Sequence, residues 1–201
     1  MKNLRRLMGL LVIIFLISAA TVSTDVLPGS EGSPIVTASQ STLISVVNNF
    51  GEDPETERNF TWETSLGMNT GFIEYCQKNK FQSFTGKNIL IVTAKSYQSS
   101  NDTDTRMIHK VSLKNLKPGT VYVYRVGNGV DLISTQGTFK TAEKKPGRFT
   151  FLQITDTQGS DSKDYAVWKH TLDAAMKAFP DARFLLHTGD MVDNGQEIEQ
   201  W

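Results

Sequence analysis

Between Pro34 and about Thr141, short runs of β-branched and aromatic residues recur between polar turns, and this rhythm restricts the fold more than any other feature. The runs are Ile35–Ala38, Leu43–Val47, Asn59–Thr64, Gly71–Tyr75, Ile89–Ala94, Met107–Leu113, Val121–Val126 and Thr138–Thr141. About seven strands in roughly 110 residues predict a two-sheet sandwich. Trp62, on the alternating run Phe60-Thr61-Trp62-Glu63-Thr64, is expected to fill the space between the sheets. The segment Leu116–Tyr124 puts a Pro-Gly turn before a strand bearing two tyrosines. That pattern predicts a tyrosine corner, in which a phenol hydroxyl bonds the upstream backbone. The stretch Lys95–Thr105 is rich in Ser, Gln, Asn and Asp, lacks periodicity, and is expected as an exposed connection.

The texture changes after the polar hinge Glu143-Lys144-Lys145-Pro146-Gly147. Phe149–Thr155 is a near-continuous apolar run, as in a strand covered on both faces. Tyr165, Trp168, Leu172, Met176 and Phe179 then recur at helical spacing, with Asp161 or Ser162 as the cap and Pro180-Asp181 as the stop. Phe184-Leu185-Leu186 makes a second buried strand, and Glu197 to Trp201 reads as the opening of another helix. Strand, helix and strand over about 40 residues form a βαβ unit, whose strands should be parallel neighbours.

Ligands of open parallel sheets collect at the carboxyl ends of the strands. Both strands here end on an aspartate, Asp156 after the first and Asp190 after the second. Two carboxylates brought to one edge repel each other unless a cation lies between them. Gln158 adds an oxygen donor two residues past Asp156, and Gly189 lets the chain turn sharply into Asp190. Together these residues predict a metal site.

The blocks Asp156-Thr157-Gln158-Gly159 and Gly189-Asp190-Met191-Val192-Asp193-Asn194-Gly195 resemble the first two metal-binding motifs of calcineurin-like metallophosphoesterases. The preceding region, with Asn59-Phe60-Thr61-Trp62 and Leu116–Tyr124, is similar to the fibronectin-type-III-like N-terminal domain of purple acid phosphatases. The resemblance implies an all-β sandwich over residues 34–142, followed over 148–201 by the first βαβ unit of an α/β metallophosphoesterase domain. It implies that Asp156 binds one metal and that Asp190 bridges two, drawn from Mn, Fe, Zn, Mg or Ca. Gln158 stands where most relatives place a histidine, which shifts the preference toward manganese, magnesium or calcium. Asp193 stands where purple enzymes carry an iron-binding tyrosine and is assigned an outer role of orienting ligands. His187, three residues before Asp190, is close enough for a similar outer contact, with a plain strand-end histidine as the alternative. The implied substrate is a small phosphate ester, a monoester first, with a phosphodiesterase or nucleotide-cleaving relative and a non-catalytic surface module as alternatives. The family's later histidine motifs do not occur up to Trp201. No catalytic residue is therefore assigned in this chain, and the 201 residues alone are expected to be inactive.

Compartment and partners follow from the rest of the chain. Lys2, Arg5 and Arg6 precede the apolar run Leu7–Ile17 and the small residues Ser18, Ala19 and Ala20, the layout of a secretory signal ending by residue 23. Secretion, or a surface or periplasmic location, is expected, with membrane attachment only if the signal stays uncleaved. Lys+Arg and Asp+Glu stand at 21 each, without the basic excess of a nucleic-acid-binding surface. Cys76, the single cysteine, rules out an intramolecular disulfide and reads as a small buried hydrophobe. Asn59 and Asn101 sit in glycosylation patterns. Among the histidines, His109 is expected at the surface or an edge, and His170 in solvent.

Overall fold

A computed structural model describes residues 43–100, 104–128, 134, 136–145, 147–159, 162–197 and 200, all within the unit Ala38–Trp201. The signal-like segment, the run Ile35–Ala38, Asn101, Asp161 and most of the expected last helix lie outside the described residues. Among those described, no helix is long and apolar enough to cross a membrane.

Among the described residues, eight antiparallel strands build two sheets. They are β1 (Leu43–Phe50), β2 (Arg58–Ser65), β3 (Phe72–Gln77), β4 (Leu90–Thr93), β5 (Lys95–Ser100), β6 (Thr105–Leu113), β7 (Val121–Gly127) and β8 (Gly137–Lys140). One sheet runs β1-β2-β6-β5 and the other β4-β3-β7-β8. Alternation dictates the core. In β2, Arg58, Phe60, Trp62 and Thr64 point inward, and their partners in β6 are Leu113, Val111, His109 and Met107. Ile73, Tyr75, Tyr122, Tyr124, Val126 and Phe139 close the core from the other sheet. Phe60 meets Tyr124 at 4.7 Å and Phe139 at 5.5 Å between ring centroids, while Phe139 stacks on Tyr122 at 5.2 Å.

Trp62 is fully buried, as the sequence requires of a side chain between sheets. The tyrosine corner is also present, because the Lys117 backbone N–H donates to the Tyr122 hydroxyl at 2.8 Å. Cys76 is buried. Asn59 Nδ2 donates to the Phe50 carbonyl at 3.1 Å, so its amide is already engaged within the sheet.

Two expectations for the sandwich fail. The stretch Lys95–Ser100 is a strand, not a loop, and pairs with β6 from Lys95↔Lys110 to Ser100↔Thr105. Its mostly exposed polar side chains gave no apolar period, because an edge strand is held by the ladder rather than by burial. His109 is completely buried rather than at a surface or edge, stacked on Trp62 at 5.3 Å. Its ring nitrogens are satisfied by hydroxyls, Thr64 Oγ1 at 2.8 Å from Nε2 and Ser96 Oγ at 2.7 Å from Nδ1.

Beyond the sandwich, β9 (Thr150–Ile154), α1 (Ser162–Ala178) and β10 (Ala182–His187) follow in order, with β10 parallel to β9. Tyr165, Trp168, Leu172 and Ala175 form the half-buried stripe of α1, whereas Met176 and Phe179 stay exposed. Phe149, Phe151, Leu185 and Leu186 are each between 42% and 48% exposed, so the apolar strands lack the cover their composition calls for.

Candidate metal centre at a strand edge

The parallel pairing brings Ile154 opposite His187, and the two chains then leave the sheet side by side. Main-chain bonds hold the exits together. Asp156 N donates to Gly189 O at 3.1 Å, and Thr157 N and Gln158 N both donate to Asp190 O, at 2.9 and 3.0 Å. In return, Thr188 N donates to Ile154 O at 3.0 Å. The edge is thus laced in both directions by backbone groups that would otherwise lack partners.

Both aspartates adopt the left-handed backbone region, Asp156 at φ 55° and Asp190 at φ 50°, and Gly189 between the strand and Asp190 has φ 135°. Side chains other than Asn and Asp seldom adopt that region, and strain of this kind concentrates at working sites. Gly189 at its φ accepts no ordinary side chain without strain. Gly159 answers to a different constraint, since a Cβ there would stand 2.4 Å from Asp164 Cβ in the first turn of α1.

His187 fastens the same edge. Its Nδ1 accepts the Gly189 N–H at 3.2 Å, which leaves Nε2 to carry the proton and donate to Thr157 Oγ1 at 2.8 Å. Thr157 Oγ1 passes its own hydrogen to the Met191 carbonyl at 3.3 Å. The chain Gly189–His187–Thr157–Met191 therefore spans both exits with one consistent tautomer. Thr157 received no role from the sequence. The only hint is its position between two oxygen donors, and its partners come from 30 or more residues away.

The structure brings together the backbones of Asp156, Gln158, Asp190 and His187. The side chains of Asp156, Gln158 and Asp190 are exposed, and neither aspartate forms an ion pair among the described residues. Asp193 is not gathered with them; it stands exposed on the following bend. His170 lies exposed on α1. Two carboxylates and a carboxamide are hard oxygen donors that suit Mg, Ca or Mn. Among the described residues no three His, Cys, Asp or Glu side chains converge as a metal-binding group. These donors therefore fit part of a coordination shell.

Comparison with known proteins bears on the sandwich. The purple acid phosphatase N-terminal domain family matches residues 44–141, so the segment β1–β8 is similar to that domain. No curated protein matches the chain. Among solved structures, a computationally redesigned β-sandwich protein is 17% identical, with 51% of this chain and 96% of that one covered and a TM-score of 0.34. The sensor domain of the anti-sigma factor RsgI4 of Pseudobacteroides cellulosolvens is 16% identical, covering 54% and 100%, with a TM-score of 0.34. The third fibronectin III domain of human KIAA0343 protein is 19% identical, covering 60% and 98%, with a TM-score of 0.33.

Proposed function

We propose that the chain belongs to an exported metal-dependent phosphoesterase acting on phosphate monoesters, with Asp156, Gln158 and Asp190 as ligands of its metal centre. The observation that carries this reading is the pair of left-handed aspartates held side by side at the exits of two parallel strands. The purple acid phosphatase-type sandwich that precedes them supports it.

Divalent cations, when bound, supply Lewis-acid polarisation of a phosphoryl oxygen and neutralise developing charge. The protein's own part is positional. Asp156 and Asp190 set two negative charges at one edge, where their mutual repulsion is relieved by a cation. Gln158 adds a neutral oxygen without further repulsion. Thr157 and His187 keep the two exits from drifting apart, because each hydrogen bond in their chain joins one loop to the other or closes a turn within it.

Asp190→Asn tests the assignment. Asn also tolerates the left-handed backbone, so the change removes charge with little disturbance of the turn. Manganese binding to the full chain, followed by calorimetry, should weaken by more than about tenfold, the scale at which even outer-sphere changes act on metal sites. Unchanged manganese binding in Asp190→Asn, alongside unchanged binding in Asp156→Asn, would refute the site.

A further inference from the structure

The end of the sandwich core where β3 finishes holds a pocket of about 420 Å³. Tyr75, Leu116 and Tyr122, all core side chains, form its floor, and Lys80, Lys87 and Lys117 stand on its walls. No Asp or Glu among the described residues lines it. In a chain whose acidic and basic residues balance at 21 each, three lysines lining one cavity without an acidic residue is a local excess.

The lysines come from segments that are held in place. Lys80 ends the short 3-10 turn Lys78–Lys80, and its carbonyl accepts Asn88 Nδ2 at 3.0 Å, drawing the segment that bears Lys87 back toward that turn. Between them Phe81 packs edge-on against Phe84 at 4.9 Å, and the Arg125 guanidinium covers Phe84 at 4.3 Å. Lys117 is tied to the floor by its backbone bond to the Tyr122 hydroxyl. None of the three ammonium groups forms an ion pair among the described residues.

The floor supplies a second, independent observation. Tyr75 is only 7% exposed yet lines the pocket, so the part of it that stays accessible faces the cavity. A phenol hydroxyl at that accessible edge can donate to a group held in the cavity. Burial, and secondarily the neighbouring Tyr122, push the Tyr75 phenol upward, so it stays a neutral donor. The Tyr122 oxygen already accepts the Lys117 N–H, which leaves its own hydrogen to be given away.

We propose that this pocket binds a sugar-sized polyol carrying a phosphate or sulfate ester, with the ester among Lys80, Lys87 and Lys117 and the ring over Tyr75 and Tyr122. Its volume falls in the range of about 300–1,000 Å³ typical of small-molecule sites. Lysine meets such an ester as a point charge, and the tyrosines offer both an apolar face and donors for hydroxyls. The site is separate from the aspartate edge and does not rest on the reading of it.

Calorimetric titration of the full chain carrying Asp190→Asn, which disables the other anion-ester site, uses glucose 6-phosphate, glucose 6-sulfate and glucose as probes. One or both esters should saturate, more weakly as salt rises, and glucose should not; which ester binds tells a phosphorylated ligand from a sulfated one. Lys87→Gln and Lys117→Gln should each weaken the ester by about tenfold, the loss of one charge-assisted hydrogen bond, and Tyr75→Phe should weaken it too. Lys114→Gln, an exposed lysine paired with Glu57 and outside the pocket, should change nothing. Saturation by neither ester, equal binding of glucose, or an equal loss in Lys114→Gln would overturn the proposal. The lysine variants alter exposed side chains, so their melting curves should match the parent and separate lost binding from lost folding.

Discussion

His109 lies in the core with a ring nitrogen facing a hydroxyl on each side, and burial pushes its imidazole below the ordinary histidine value. Gly71 passes so close that a Cβ there would stand 2.6 Å from His109 Nδ1. Because the folded value is depressed, the unfolded chain binds the proton more readily. The contribution of this residue is full above about pH 6.5, the unfolded value, and is lost as pH falls from there toward the folded value. Urea unfolding of the sandwich should therefore show stability falling with acidity in that window, and His109→Gln should flatten part of the slope. An identical slope in both proteins would contradict the assignment. The burial was open to inference, since Met107, His109, Val111 and Leu113 alternate on one face of β6. The polarity of the imidazole argued for the surface, and the two hydroxyls that satisfy it come from β2 and β5, out of reach of local pattern. Trp62, apolar and on the same kind of alternation, was legible at once.

At the scale of elements, the strands rich in apolar residues announce themselves and the polar edge does not. β2, β6 and β7 follow their alternation, and the Pro-Gly turn before Tyr122 marks the corner. β5 carries Lys-Ser-Tyr-Gln-Ser-Ser, which reads as a loop until β6 is there to pair with it. The corner yields a measurable cost. Tyr122→Phe keeps the ring stacked on Phe139 and deletes only the acceptor for Lys117 N–H, so the sandwich should lose about 1–3 kcal/mol in urea denaturation. A loss near zero would mean that the corner bond is readily replaced by water. The βαβ segment was legible as an element order, and the structure pairs its strands in parallel.

At the scale of the molecule, the cover of the two parts differs. The sandwich has a closed core, whereas Phe149, Phe151 and Phe184 meet one another and Phe50 while remaining partly exposed, with Phe151 stacked on Phe184 at 5.1 Å and Phe50 edge-on to Phe184 at 5.2 Å. Limited trypsin digestion should cut after the exposed Lys144 and leave a resistant piece ending there; even protection through the following strands would contradict this. Apolar exposure on a two-stranded sheet also predicts concentration-dependent association, which Phe151→Glu should reduce in sedimentation. At the candidate site, Asp156 and Asp190 were legible because each follows an apolar strand. The Thr157–His187 link was not, because its partners meet only once β9 and β10 are paired. The lacing of the two strand exits has a final consequence. The spacing of the aspartates is written in main-chain hydrogen bonds, which do not depend on which side chain a codon specifies. Chemistry and geometry at this edge are thus inherited separately. A single Asp-to-Asn replacement would silence the charge while preserving the frame, and its reversal would restore the site without any refolding of its surroundings.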